Sequence, residues 1–351
     1  MTGSNGYRMW PLGRRIWRGL AALFLTLACA SGAWSQCAAP DLRTNVAPDH
    51  GDGPMPIMIA FSVLDVMGID DVNQQIEVDL LLRMHWTDAR LAEYEGCQFQ
   101  VSQVWVPHLR LLNSSNLRLA FRNSRDRVTI GENGEVSYFQ RGTGAISSYH
   151  SLRDFPFDKH ALAIRFAIQM NHTAFELVAD PDDTWIANRL NIEGWNVSGV
   201  RVDTGPFVLR NGAEPVEAVN LTVLAARNPE FYVYRMLVLL ALVVGMSWII
   251  FWVPPSRFEF QIGIGATSML TAIAFNLAIA GRLPPVGYLT TLDKLVIWAI
   301  LLVFLSIIEA LVAGRMVMND RETEAIRMDR ACRVLFPVLL LGGWLGIVLY
   351  G

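Results

Sequence analysis

The chain has 351 residues, 52% hydrophobic and only 17% charged, with a mean hydropathy of +0.32. An ordinary soluble domain carries roughly 25% charged residues, so part of this chain is built for lipid. A formal net charge of -3 excludes a chain-wide basic surface for nucleic acid, and four cysteines without a CxxC pair exclude both a disulfide scaffold and a zinc or redox motif.

The N-terminus places Arg14, Arg15 and Arg18 before an apolar stretch from Leu20 to Ala28 and small residues at Ala30 and Ala33. Charged, apolar and cleavage regions in that order predict a secretory signal over residues 1–33, with the mature chain starting near Trp34. A second reading makes Cys29 a lipidated residue, although Thr26 and Leu27 before it fit that poorly. Export puts Cys37 and Cys97 in an oxidising compartment. A bridge between them would tie the N-terminal arm to the following domain, and the sequence leaves this open.

Residues 34–229 are expected to form an exported β-sandwich. Between Gln75 and Trp86 the apolar set Ile76, Val78, Leu80, Leu82, Met84 and Trp86 alternates with Glu77, Asp79, Arg83 and His85, which is the period of a strand with one buried face. The alternation returns in Leu162, Ile164, Phe166, Ile168 and in Val219, Leu221, Val223, Ala225. Turn signals at Glu132-Asn133-Gly134 and Asn211-Gly212 separate the runs. Asp180, Asp182 and Asp183 form an acidic loop that is either a weak divalent-cation site or a solvated turn; adjacent carboxylates alone do not supply the oxygens that calcium takes. No histidine pair has the spacing of a zinc motif, and no metal or cofactor is expected.

After Arg227 the code changes. Apolar runs at 231–253, 259–281, 289–313 and 334–350 are each near the ~20 residues of a membrane-crossing helix, giving a transmembrane domain over 230–351. With the sandwich outside, residues 314–333 form a short cytoplasmic loop, whose Arg315, Arg321, Arg327, Arg330 and Arg333 satisfy the positive-inside bias. The second run differs from the rest: Glu259, Gly263, Ala266, Thr267, Leu270, Ala274, Leu277 and Gly281 fall on one stripe at i+3/i+4 spacing, and most are small or polar. Such a stripe either packs helices closely or lines a water-filled pore, where Glu259 would form a ring of carboxylates selecting cations and Leu270 an apolar gate. Glu309, near the inner end of the third run, either faces protein or water or snorkels to the headgroups.

Several strings carry a resemblance. Met84-His85-Trp86-Thr87-Asp88, Val104-Trp105-Val106-Pro107-His108-Leu109-Arg110, Phe155-Pro156-Phe157-Asp158 and Glu193-Gly194-Trp195-Asn196 lie in the strand region. Ser247-Trp248, Ala274-Phe275-Asn276 and Leu283-Pro284-Pro285 lie in the helical one. In order and spacing they resemble the pentameric ligand-gated ion channels (Cys-loop receptors), particularly the prokaryotic branch. Departures are also visible. Ser148 and Leu162 stand where animal receptors carry the signature cysteines, His108 replaces an acidic residue, and the first helix lacks the family's proline.

The resemblance implies a ring-shaped homopentamer: an extracellular β-sandwich followed by an all-α four-helix membrane domain. It implies that Asp71, Asp158, Arg227 and Pro284 meet at the coupling interface. Carried over position by position, Leu112 and Gln169 stand where the receptors place agonist-caging aromatics, and Leu81 stands on the complementary face. Phe207, Tyr138 and Phe139 remain as aromatic candidates for a ligand site, or as ordinary core and loop anchors.

The expected function is a ligand-gated, cation-selective channel in a cell inner membrane, with its N-terminal domain in the periplasm. Its partners would be further copies of itself, monovalent cations, membrane lipids and a small-molecule or proton agonist. Asp71, Glu77, His85 and Asp158 are the titratable residues behind the proton reading. The rival is a membrane-anchored periplasmic binding or assembly protein whose helices only pack. No nucleophile and base pairing supports an enzyme.

Overall fold

The computed structural model describes residues 2–3, 37, 40, 46–51, 53–113, 118–119, 126–168, 175–208, 215–281 and 284–350. The signal segment with Cys29, the Asn211-Gly212 turn and Gln169 lie outside the described residues. Among the described residues, strands run from Met55 to Arg227, and from Glu230 on the chain is helical with short connections.

Contacts divide the chain into two compact units. The smaller gathers the chain up to Ile57 with Met84–Pro107 and Arg122–Phe139. In it β6 (Arg127–Ile130) pairs with β3 (Gln98–Gln100) on one side and with the start of β7 (Glu135–Ser147) on the other. Trp86 and Trp105 meet edge to face at 5.9 Å, and Cys37 is joined to Cys97. The expected turn at Asn133-Gly134 is present with φ of 54° and 78°. A Cβ at Gly134 would sit 2.3 Å from the Asp88 carbonyl oxygen, so only glycine fits there.

The larger unit holds the sandwich. One sheet runs β10 (Trp185–Ile186), β1 (Met55–Asp70), β2 (Gln75–Thr87), β7, with β9 (Phe175–Ala179) on β1 and β5 (Arg118–Leu119) on β7. The other runs β11 (Trp195–Phe207), β12 (Val216–Arg227), β8 (Lys159–Ile168), β4 (Leu109–Leu111). Alternation decides which side faces in: Ile76, Val78, Leu80 and Leu82 of β2, Leu162, Ile164 and Phe166 of β8, and Val219, Leu221, Val223 and Ala225 of β12 are all buried. Phe61 of β1 stacks on Phe166 at 5.2 Å, one sheet against the other.

Four helices follow, each long and apolar enough to cross a membrane: α1 (Glu230–Trp252), α2 (Phe258–Ala280), α3 (Thr291–Met318) and α4 (Glu322–Tyr350). The third is the central one. Leu295, Val296, Ala299, Leu302, Val303, Ser306 and Ala310 are buried along it. Its start is fixed by a capping box in which Thr290 and Asp293 exchange side-chain bonds to each other's backbone amides. Two indoles tie it to α4: Trp298 Nε1 donates to the Leu339 carbonyl at 3.0 Å and Trp344 Nε1 to Leu295 at 3.1 Å. Gly343 leaves the room that the Trp298 ring occupies.

One expectation is corrected. The segment 314–333, read as a loop, is helical except around Asn319–Arg321. Its charges bar it from lipid but not from helix, and Ala325, Asp329, Cys332, Phe336 and Leu340 continue one buried stripe into the apolar part of α4. That stripe meets Glu309, which is only 8% exposed and faces the Asp329 carboxylate instead of reaching out to headgroups. Two carboxyl groups facing each other in a poorly hydrated contact cannot both ionise without repulsion, so one has to keep a proton. Glu309→Gln removes one of them and supplies a donor, and is expected to raise the melting temperature by about 2–4 °C. A lower melting temperature would show that the pair is held by a partner the mutation cannot replace.

Candidate functional site

Two places in the larger unit concentrate functional side chains: the junction between strands and helices, and the exposed face of α2. At the junction β12 ends in Arg227, whose side chain is 4% exposed. It lies across two carboxylates. Nη1 and Nη2 donate to Asp71 at 2.8 Å each, and Nε and Nη2 to Asp158 at 2.8 and 3.0 Å. Its guanidinium also lies 4.1 Å from the centroid of the Trp195 ring and 4.7 Å from that of Phe155, a cation between two π faces.

The sequence positions each of these groups. Asp71 sits in the β1–β2 turn, Asp158 closes the FPFD string at the mouth of β8, and Trp195 opens β11, where Trp195 and Arg227 are register partners. The Phe155-Pro156 bond is cis. Burial pushes the Asp158 carboxyl up, but bonds from His160 and Arg227 more than reverse this and hold it at about 2. Burial also raises Asp71, and bonds from His150 and Arg227 bring it below the usual carboxylate range. In Arg227 burial opposes the charge and the two carboxylates restore it, so it stays protonated throughout. Both carboxylates are therefore ionised at mild acidity, and neither is a proton sensor by itself. His85, another proton candidate, bonds Ser137 Oγ at 3.0 Å in the smaller unit, and Glu77 is exposed.

The same loop grips the membrane helices. Thr291 N donates to the Arg153 carbonyl at 2.8 Å and Leu292 N to the Phe155 carbonyl at 3.0 Å. Backbone oxygens of the 148–158 segment thus satisfy amides that the start of α3 leaves unpaired. Leu152 N donates to the Tyr288 hydroxyl at 2.9 Å, and the Arg153 guanidinium lies 5.1 Å from the centroid of the Tyr288 ring. Pro284 does not join the Arg227 group in any recorded contact; with Tyr288, Thr290 and Asp293 it lines a cavity of about 400 Å³. Tyr288 and His150 escaped sequence reasoning because lone aromatic residues in loops carry no periodic signal, and His160 escaped it because it is a polar residue on the buried face of β8, ahead of the apolar set.

On α2, Glu259, Gly263, Ala266, Thr267, Leu270, Ala274, Leu277 and Gly281 are all exposed, while Gln261, Gly265, Ser268, Ala272 and Ile279 are buried. Gln261 Nε2 donates to the carbonyls of Ile250 and Val253, fastening this helix to the end of α1. Close packing is therefore the work of the opposite face, where Ile307 lies against Gly265. In their apolar parts, α1 exposes Val238, Leu239, Leu242 and Ile249, and α4 exposes Val334, Val338, Leu341 and Leu345. The stripe on α2 instead mixes glycine, alanine and threonine with Leu270 and Leu277, while Phe260 and Ile273 are exposed beside it. Thr267 and Thr271 donate to the carbonyls of Gly263 and Thr267, one turn earlier.

The expected ligand positions divide between the two units. Tyr138 is buried, with its hydroxyl 3.4 Å from Asp126, and Phe139 is exposed. Leu112 N donates to the Arg165 carbonyl, and the Arg165 guanidinium lies 5.4 Å from the centroid of the Phe207 ring. Leu81 is half-buried in β2. In the acidic loop, Asp182 and Asp183 amides both donate to Asp180 Oδ1 and Asp183 pairs with Arg83 at 2.8 Å, so this cluster is a turn with an ion pair.

Residues 39–199 match the family model described as the neurotransmitter-gated ion-channel ligand binding domain. A proton-gated ion channel of Gloeobacter violaceus is 23% identical over 341 residues, covering 93% of this chain and 92% of that protein. A gamma-aminobutyric acid receptor subunit beta-like protein of Drosophila melanogaster is 20% identical, covering 83% of this chain and 62% of its own length. A glutamate-gated chloride channel of the same species is 25% identical, covering 69% and 55%. The chain thus spans little more than half the length of these two fly proteins.

Strand-rich sheets followed by four membrane-length helices, in a chain that aligns end to end with a channel, define a multi-pass ligand-gated channel subunit with an extracellular domain, and not an enzyme. The family model over residues 39–199 and these relatives support a member of the pentameric ligand-gated ion channel family.

Removing Arg227 would leave two carboxylates buried without their cation, a loss of about 3–5 kcal/mol. Arg227→Ala is therefore expected to lower thermal stability markedly and to shift or abolish any agonist response in subunits that still reach the membrane. An unchanged melting curve and response would show that the three charges act separately. The Asp158 contribution is complete above the ordinary carboxylate value of 3.8 and is lost only as the pH falls toward about 2.

Proposed function

We propose that the chain assembles as a homopentamer in a cell inner membrane, with residues 34–229 in the periplasm, and conducts monovalent cations when an agonist acts on that domain. The domain limits, the inner membrane, the stoichiometry and the cation preference belong to this reading. One observation carries it: α2 leaves exposed a face of small and polar residues that lipid does not require, while its other face packs. Copies of that face around an axis enclose water.

Leu270 and Glu259 are eleven residues apart, about 16 Å at 1.5 Å per residue. They therefore form separate rings. A collar of Leu270 side chains offers no hydrogen bonds and closes the path by dewetting, while the Glu259 ring supplies the negative field that admits cations. Arg227 with Asp71 and Asp158 carries motion from the sandwich to α1 and, through the carbonyls of Arg153 and Phe155, to α3. Protons are the agonist best supported, since the relative that this chain covers almost entirely is named for proton gating. The aromatic cage that amines require is largely missing.

Anion conduction is the reading to test against, because another relative is named a glutamate-gated chloride channel and Arg257 is exposed two residues before Glu259. Reversal potentials in asymmetric salt distinguish them. The wild-type channel is expected to favour sodium over chloride, Glu259→Ala to lower conductance or cation preference, and Leu270→Thr to open more easily or leak. A wild-type channel passing chloride over sodium would overturn the assignment of Glu259.

A further inference from the structure

The Arg227 network carries two histidines that the coupling reading does not use. His150 reaches Asp71 Oδ1 with Nε2 at 3.1 Å and the Ser148 carbonyl oxygen with Nδ1 at 2.9 Å. His160 bonds Asp158 through Nε2. The two rings lie 4.4 Å apart, and their side chains are 3% and 5% exposed.

We propose that His150 is a proton-binding site: as an imidazolium it ties the β1–β2 turn to the 148–158 segment, and its deprotonation at alkaline pH loosens the junction. The donor count carries this. An ionised carboxylate and a backbone carbonyl only accept hydrogen bonds, while a neutral imidazole has one N–H to give. Only the doubly protonated ring satisfies both of its partners. His160 has one recorded carboxylate partner, for which a single N–H suffices.

Charge balance leads to the same assignment. Arg227 with Asp71 and Asp158 sums to one negative charge in a site with little access to water, and one imidazolium brings the sum to zero. A second proton, on His160, would put a third cation beside Arg227 and His150. Other charged groups on the surrounding elements, Asp70, Arg153, Asp154, Lys159 and Glu193, are exposed and screened by water. The proton has mechanical consequences because the β1–β2 turn is held to this segment by few bonds. Apart from the His150 ring bonds and the Arg227 bridge between Asp71 and Asp158, those among the described residues are Ser148 N to the Gln74 carbonyl and His150 N to Gln74 Oε1, both at 2.9 Å.

Burial and Arg227 push the His150 ring down, but the bonds to Asp71 and Ser148 outweigh them and leave it raised above 6.5. For a raised group, the stabilisation is complete below the unfolded value of 6.5 and is lost as the pH rises through the folded one.

The regulatory part of this inference rests on the channel reading; the proton itself does not. Histidine-selective labelling of the full chain in nanodiscs is expected to show a ring with both nitrogens protonated that persists above pH 6.5, and this signal should vanish in His150→Gln. If no such signal exists, or if it survives in His150→Gln, the proposal is overturned. Melting curves should fall by about 2 °C or more between about pH 6.5 and 9 in the wild type and in His160→Gln, but not in His150→Gln. A slope that survives in His150→Gln also overturns it. Because protons are the proposed agonist, current recordings compare the pH of half-activation, which should be displaced in His150→Gln and unchanged in His160→Gln. A chain that never conducts would sink the channel reading and leave the spectral and thermal results to decide the proton.

Discussion

One buried cation organises the junction of this subunit. Arg227 is the last residue of β12, and α1 begins three residues later. A guanidinium in that position must be neutralised and hydrogen-bonded by whatever surrounds it, because burying it unpaired would cost several kcal/mol. Its planar fork matches two carboxylates at once. The β1–β2 turn, the FPFD segment and the start of α1 are therefore held in one arrangement by a single side chain. Trp195 and Phe155 cover its faces and limit the water that would weaken the pairing.

From that point the constraints pass into the membrane through backbone as well as side chains. The carbonyls of Arg153 and Phe155 complete the first turn of α3, and α3 is the helix against which α1, α2 and α4 pack. A displacement of the 148–158 segment thus strains the end of the most buried helix. Within the bundle, the two faces of α2 serve opposite needs. Gln261, Gly265 and Ser268 fasten it to its neighbours, while its other side stays free of contacts within the subunit. A helix committed on one face and unoccupied on the other can rotate or tilt only by repacking the committed face, which favours discrete states over continuous drift.

On this proposal His150 gives the Arg227 group a response to pH that its carboxylates lack. Asp158 is held so low that it stays ionised across the range in which proteins normally work. Sensitivity near neutrality has to come from a group whose ordinary value lies there, and imidazole is that group. Bonding decides which imidazole matters: His85 bonds Ser137, whereas His150 bonds directly to Asp71.

The amino-acid sequence alone determined the periodic features. Alternation placed the buried faces of β2, β8 and β12, long apolar runs located four helices, and the i+3/i+4 spacing of small residues set the α2 stripe apart. These are one-dimensional patterns, and the pitch of a strand or helix converts them into faces without knowledge of neighbours. Motif order was enough to bring Asp71, Asp158 and Arg227 under suspicion together, although 156 residues separate the first from the last. What only the tertiary structure decided has no period. The charged stretch before the fourth apolar run proved helical because its buried residues found α3, not because of its composition. Glu309 proved to face Asp329, a pairing between two helices that no spacing along the chain encodes. The Cys37 to Cys97 link, the hold of Arg153 and Phe155 on α3, and the two acceptors around His150 depend on where loops come to rest. Loop positions are set by the elements they connect, so their chemistry becomes legible only after those elements have packed.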